Sequence, residues 1–395
     1  MQETKTNNKV LPVIVLSQFA GTSLWFAGNA ILPELKQSLQ LSQYALSLVT
    51  TAVMLGFICG SLVFAFFTLA DRYSPVKLFL LSAILGSLSN ISVVWLVRDG
   101  ASLFAIRFVT GFFLAGIYPV GMKIAADWYK EGLGKALGYL VGALVLGTAF
   151  PHLLRNRDFA LPWKAVLYCT SAFATAGGLL MYWLGDGPHR KQAGRFQWNA
   201  IPEIFRSKKW RQAAFGYFGH MWELYTFWGF VPLLLGLYAA KHKVLLNIPL
   251  FSFLIIASGS LSCVLGGYLS RRAGNDKVAF AALLVSGVCC LVSPLVYTLP
   301  PVIFLAVLFC WGCTVVPDSP QFSSLVAQYA PEQLRGTALT IYNSIGFAIA
   351  TVSLQVTDRV FHSAGWLGRE NTMLLLGAGA LFGLPSLLRL IQNRS

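Results

Sequence analysis

Apolar stretches of about 20 residues recur along the chain, each closed by a short polar or charged turn. A helix needs about 20 apolar residues to cross the hydrocarbon core of a bilayer. On that length the pattern predicts twelve spans, at 11–32, 44–69, 76–97, 101–125, 134–154, 163–185, 211–239, 248–270, 277–298, 301–328, 337–360 and 370–391. The two-residue alternation of a membrane barrel is absent, so the predicted class is an all-α membrane protein. One long polar stretch, Asp186 to Trp210, separates spans six and seven and carries Arg190, Lys191, Arg195, Arg206, Lys208 and Lys209. The predicted organisation is therefore a tail at 1–10, a six-helix half at 11–185, a linker at 186–210 and a second half at 211–395. A basic, amphipathic linker of this kind belongs on a membrane surface.

The turn after span two, Thr68-Leu69-Ala70-Asp71-Arg72-Tyr73-Ser74-Pro75-Val76-Lys77, returns about two hundred residues later as Gly267-Tyr268-Leu269-Ser270-Arg271-Arg272-Ala273-Gly274-Asn275-Asp276-Lys277. Leu69, Arg72 and Lys77 recur as Leu269, Arg272 and Lys277, and Gly60-Ser61-Leu62 is echoed by Gly259-Ser260-Leu261. A repeat at half the chain length in a membrane protein points to a transporter built from two similar halves. A turn this short between two spans must sit in water, and its basic residues favour the cytoplasmic side. A topology signal alone accounts for the Arg and Lys residues but not for Asp71 or the Leu-x-x-Arg spacing.

Leu69-Ala70-Asp71-Arg72 resembles the loop motif between the second and third helices of the major facilitator superfamily, and the later copy resembles its degenerate counterpart between helices eight and nine. The family's leading Gly is Thr68 in the first copy and Gly267 in the second. Arg107-x-x-x-Gly111-x-x-x-Ala115-Gly116 is similar to the family's fourth-helix motif, and Gly142-x-x-x-x-Gly147-x-x-x-Pro151 to its Gly- and Pro-rich fifth-helix motif. The stretches from Glu131 to Leu137 and from Glu332 to Leu339 resemble the paired loops before helices five and eleven. Gly219-His220-Met221-Trp222-Glu223-Leu224-Tyr225 and Asp318-Ser319-Pro320-Gln321-Phe322 look like the nitrate/nitrite and cyanate permease-like branch. The resemblance implies twelve helices in two pseudo-symmetric six-helix bundles and a central cavity lined by helices one, four, seven and ten. It also implies a gating role for Asp71, Arg72, Arg271 and Arg272.

Composition agrees with the span pattern. The chain of 395 residues is 56% hydrophobic, has a mean hydropathy of +0.64, and is only 11% charged, roughly half the charge of a soluble domain. Its net charge of +15 follows from topology and anionic headgroups and does not imply nucleic acid. With both termini inside, 19 of the 30 Lys and Arg fall on the cytoplasmic side and 9 outside, while Arg107 and Lys123 lie within span four. That bias predicts cytoplasmic termini in a multi-pass protein of a bacterial inner (plasma) membrane. The first apolar run is too long for a signal-peptide core. All seven Cys lie in apolar runs without His partners and read as small buried hydrophobes. No metal cluster, GxGxxG or Walker pattern occurs in the sequence, so neither a cofactor, nor an enzyme, nor ATP-driven transport is expected.

Ionisable groups deep in a span cost several kcal/mol unless they face a cavity or a partner. Arg107, Glu223 and Asp318 are therefore functional candidates, the alternative being ion pairs that only hold helices together. Helical spacing groups Gln18, Thr22, Trp25 and Asn29 on one face of span one, Arg107, Gly111, Ala115 and Tyr118 in span four, and His220, Glu223 and Phe227 beside Trp222 in span seven. In span ten, Asp318 and Gln321 are one turn apart, and Pro317 and Pro320 break the helix there. Asn343 is a lone polar residue of span eleven. Trp25, Asn29, Arg107, Tyr118, Trp222, Gln321 and Asn343 are thus candidate substrate contacts, with Arg107 offering a planar fork of donors. Glu223, Asp318 and His220 are candidates for carrying a coupling proton; His152 reads as a solvated or satisfied histidine.

The expected function is secondary active transport of a small polar or anionic solute by alternating access, proton-coupled as in a symporter, by a monomer in the lipid bilayer. An exporter of hydrophobic or cationic drugs would suit Trp25, Trp222, Phe227 and Trp228, and a non-transporting receptor of the same fold is a third class. Because the resemblance gives the Asp71 motif a latching role, Asp71→Asn is expected to slow turnover while leaving substrate affinity nearly unchanged. Initial uptake rates and equilibrium binding on the same preparation check this; equal loss of both argues against gating.

Overall fold

The computed structural model describes residues 9–129, 133–156, 161–190, 199, 201–363 and 368–392. The tail through residue 8, residues 130–132 of the loop before span five and linker residues 191–198 and 200 lie outside the described residues. Eleven helices are long and apolar enough to cross a membrane among the described residues, from Ala45–Phe66 to Gly368–Gln392. Span one is the exception. It is Val10–Thr22, four non-helical residues, and then the short helices Ala27–Ala30 and Leu32–Ser38. At the interruption Thr22 Oγ1 donates to Gln18 O at 2.8 Å and Ser23 Oγ to Ala20 O at 2.7 Å. Hydroxyls that bond back to the preceding turn compete with the helix.

Two further spans are broken at mid-length. Span four is Gly100–Leu114 followed by Tyr118–Trp128, with Pro119 opening the second piece. Span ten is Pro301–Thr314 followed by Ser319–Tyr329, and the break falls at Pro317 as expected. Proline withholds a donor and collides with the preceding turn, which frees carbonyls in mid-membrane. Span seven, Lys208–His242, is continuous and starts three residues before the expected start at 211. Within the linker, Ile201–Arg206 is a short helix whose Ile204 is buried.

Spans one to six pack on one another, as do spans seven to twelve. Span five lies along span eight and span two along span eleven, the same contact twice under the repeat. Close packing depends on glycine where backbones touch: a Cβ on Gly111 would strike the Val53 carbonyl, and one on Gly219 the Gly379 carbonyl. At the end of the bundle opposite the charged turns, the halves are joined by polar bonds. Asp358 of span eleven accepts from the Ser47 amide at 3.3 Å, in the first turn of span two, where helix amides lack partners. Gln355 donates to Thr51 at 2.8 Å and Asn247 to Asn156 at 2.6 Å.

The two turn motifs differ in conformation. In the first, the chain kinks at Thr68, forms one turn over Leu69–Arg72, and starts span three at Pro75 with Ser74 capping Lys77 N. In the second, span eight runs unbroken to Ala273, through Gly267, and turns at Gly274 with φ +95°. Thr68 occupies the left-handed region, φ +48° and ψ +40°. A β-branched residue is a strong outlier there, which explains the glycine of the family motif at this position. Thr68→Gly is expected to relieve about 1 kcal/mol of strain, less the entropy that glycine adds to the unfolded chain. A small rise in melting temperature measures it; a fall shows that the Thr68 side chain stabilises the turn.

Candidate functional site

The break in span one exposes the carbonyls of Leu24 and Trp25 inside the bundle. Arg107, fully buried on span four, reaches both with Nη2, at 3.0 and 2.8 Å, and donates from Nη1 to Asn90 Oδ1 at 2.9 Å. Asn90 is itself held, donating to Thr170 and Ser171 of span six at 3.1 and 3.0 Å. Arg107 has no carboxylate partner among the described residues. Its fork is therefore occupied by backbone and one amide. Only Nε lacks a partner.

Trp25, anchored by that contact, projects between the halves. It stacks on Tyr225 at 5.6 Å and is flanked by Phe57 at 5.0 Å and Phe347 at 5.6 Å, so spans one, seven, two and eleven meet at one indole. Toward the far end the column continues through Trp228 to Phe26 and His152. Toward the motif end, Tyr217 stacks on Tyr342 at 3.8 Å and on His220, and its hydroxyl donates to Asn343 Oδ1 at 3.1 Å. Tyr118 of span four is half-buried at the start of the second piece of that span.

His220 Nδ1 lies 2.9 Å from Asp318 Oδ1, with both side chains 1% exposed. The approach is not aligned as a hydrogen bond, and Asp318 Oδ2 also lacks a partner; the contact is electrostatic in kind. The helical spacing of His220 and Glu223 suggests one stacked face, but Glu223 turns away into its own half. There it accepts from Trp311 Nε1 at 2.6 Å and Ser286 Oγ at 3.0 Å. Phe227 likewise stacks on Trp311.

The remaining candidates scatter. The Trp222 indole donates to Leu375 O of span twelve at 2.8 Å. Asn29 donates to Thr50 of span two at 2.7 Å. Gln321 bonds back to Pro317 O at 3.3 Å beside span eight. The stripe of Gln18, Thr22, Trp25 and Asn29 is dispersed, because residues 23–26 are not helical. His152, expected to be solvated or satisfied, is buried at 4% exposed, and its Nε2 has no hydrogen-bond partner among the described residues. The seam thus gathers Trp25, Tyr118, His220, Asp318 and Asn343. It adds Tyr217, Tyr225, Phe57, Phe347 and Trp228, of which spacing along span seven marks Tyr217, Tyr225 and Trp228 as one face. Asn90, the sole amide in an apolar span three, was the sequence signal for the Arg107 partner.

At the motif end Asp71 pairs with Lys123 of span four at 2.8 Å. Asp186 accepts from Ser74 Oγ at 2.9 Å and pairs with Arg190 at 3.0 Å. Arg190 also donates to Tyr73 O at 2.6 Å. Arg72, Arg271 and Arg272 are exposed. At the far end Arg155 pairs with Glu34.

A bundle of helices long and apolar enough to span, around a polar and aromatic seam, defines a multi-pass membrane protein. The chain belongs to the Major Facilitator Superfamily, whose family model matches residues 14–354. Members of this family are transporters, not enzymes, and carry small-molecule substrates across a lipid bilayer. In fold, 313 solved chains match. One is the human organic anion transporter MFSD10 (TETRAN), with a TM-score of 0.74 and 17% identity over 98% of this chain and 100% of that one. No curated protein sequence matches.

The bonding of Arg107 makes a specific expectation. Arg107→Lys loses the fork but keeps the charge, and each charged hydrogen bond lost costs about 1.5–3 kcal/mol. The ligand-free protein should melt several degrees lower. If the melting temperature holds and only substrate affinity falls, Arg107 contacts substrate directly.

Proposed function

We propose that the protein is a secondary active transporter that takes up a small polar or anionic solute by alternating access, coupled to protons. The carrying observation is a set of unsatisfied groups in the seam: among the described residues the indole N–H groups of Trp25 and Trp228 have no acceptor, and neither carboxylate oxygen of Asp318 has a hydrogen-bond donor. Buried donors left unpaired are costly unless a ligand completes them. The guanidinium of Arg107 behind Trp25, bonded to carbonyls and an amide but with no carboxylate partner among the described residues, favours an anion as that ligand. The resemblance of the span-seven and span-ten phrases to the nitrate and cyanate permease-like branch points to the same substrate class. The organic anion transporter of the same fold is in keeping with it. The charge bias of the turns puts the motif end and both termini on the cytoplasmic side, as in a bacterial inner-membrane symporter acting as a monomer.

In this reading His220 and Asp318 carry the coupling proton. Glu223 has both oxygens engaged inside one half and acts as a strut between spans seven, nine and ten. Asp318→Asn keeps the shape but cannot exchange a proton. It should abolish accumulation driven by a pH gradient in proteoliposomes while sparing exchange of substrate for substrate. Glu223→Gln should still accumulate substrate and mainly lower thermal stability. The opposite pattern overturns the assignment and moves the proton to Glu223.

Trp25→Phe tests the substrate class. It keeps a ring in the stack and removes the donor. Affinity for an anion should fall about tenfold, the low end for a charged hydrogen bond. A cationic dye bound more tightly than any anion, with Trp25→Phe neutral, would favour the drug-exporter reading that the aromatic column also suits.

A further inference from the structure

The second turn motif borders a cleft that the transport seam does not use. It has a volume of about 910 Å³ and opens between spans eight and nine, with Thr314 and Pro317 of span ten at its floor. Its walls are apolar, from Leu265 and Leu269 on one side to Ala282 and Val285 on the other. Leu265, Leu269 and Val285 are 58%, 55% and 40% exposed, so the cleft faces the bilayer, not the seam. Arg271 and Arg272 line its mouth, where span eight ends. Both are exposed, and neither forms an ion pair among the described residues. Lys135 of span five lies 5.7 Å from the Tyr268 ring and Arg271 5.9 Å from the same ring, which gathers further positive charge at this mouth.

We propose that this cleft binds one anionic phospholipid of the surrounding leaflet, with its phosphate held by Arg271 and Arg272 and an acyl chain lying against Leu265, Leu269 and Val285. The charge of the mouth selects the headgroup and the apolar walls select a chain. An arginine pair at the level of a helix end is placed where headgroup phosphates lie. The volume is that of a small-molecule site. The first motif copy differs in its surroundings: Arg72 is exposed as Arg272 is, but Asp71 is paired with Lys123, and Arg190 of the linker is tied to Asp186 and to the carbonyl of Tyr73. The two halves of the repeat have thus parted in function, with a protein latch in one and a lipid seat in the other. Since the floor of the cleft is Pro317, the residue before Asp318, a bound chain would rest on the break in span ten.

Native mass spectrometry of the full-length protein tests this, using dioleoyl phosphatidylglycerol and dioleoyl phosphatidylcholine as probes. One phosphatidylglycerol should be retained at least fivefold more than phosphatidylcholine. Arg271→Ala with Arg272→Ala should remove the preference, and Arg271→Lys with Arg272→Lys should keep most of it. Ala281→Trp, which narrows the cleft and leaves both arginines, should also abolish retention; Ala281→Leu serves if the larger residue prevents folding. Equal retention of the two lipids, or retention unaffected by the double alanine variant, overturns the proposal. Retention that survives both Ala281 variants places the lipid on the general surface and overturns the cleft assignment. A second copy of the chain found instead, lost in Ala281→Trp, replaces the lipid as occupant.

Discussion

Everything at the centre of this protein depends on how it satisfies backbone carbonyls set free inside a membrane. Hydrocarbon offers no donor, and an unpaired peptide group there costs several kcal/mol. Span one breaks at residues 23–26, and Arg107 supplies the missing donors to Leu24 and Trp25. The guanidinium is suited to the task, since it stays charged and presents several N–H groups in a fixed plane. Asn90 and the hydroxyls of span six then hold the guanidinium in turn. One chain of bonds through spans six, three, four and one thereby sets the position of Trp25, the indole around which four helices meet.

The contacts between halves are weaker in kind than those within them. At the far end they are a carboxylate on a helix amide, two amide hydrogen bonds and aromatic edges. Each neutral bond of this sort contributes about 1 kcal/mol net, small enough to open and re-form in a transport cycle. Inside the halves, glycine contacts bring backbones together, and Glu223 ties spans seven, nine and ten through Ser286 and Trp311. A rigid half that rocks against another is the arrangement alternating access needs.

The repeat shows how similar sequence parts in structure. Leu69, Arg72 and Lys77 match Leu269, Arg272 and Lys277, yet one segment kinks at Thr68 and the other stays helical to Ala273. Partner residues decide the difference. The first copy meets Lys123 and the residues Asp186–Arg190, which hold a kinked turn in place. The second adjoins an open cleft, and its turn falls where glycine permits it, at Gly274.

Sequence by itself determined the all-α membrane class, eleven of the apolar spans and the residues whose burial is costly. These follow from local apolarity and length, because the bilayer judges each segment nearly alone. Arg107, Glu223 and Asp318 were legible for that reason, and Pro317 marked the break in span ten. Tertiary structure decided who meets whom. Helical spacing places His220 near Glu223, but only packing turned His220 to Asp318 and Glu223 to Trp311 and Ser286. Trp222 was on a legible face, and the approach of span twelve made that face an internal one. The stripe on span one failed for a further reason: periodicity assumes an unbroken helix, and this one stops at Thr22, where Arg107 takes the carbonyls of Leu24 and Trp25. A face can be counted along one helix, whereas a partner depends on where another helix lies.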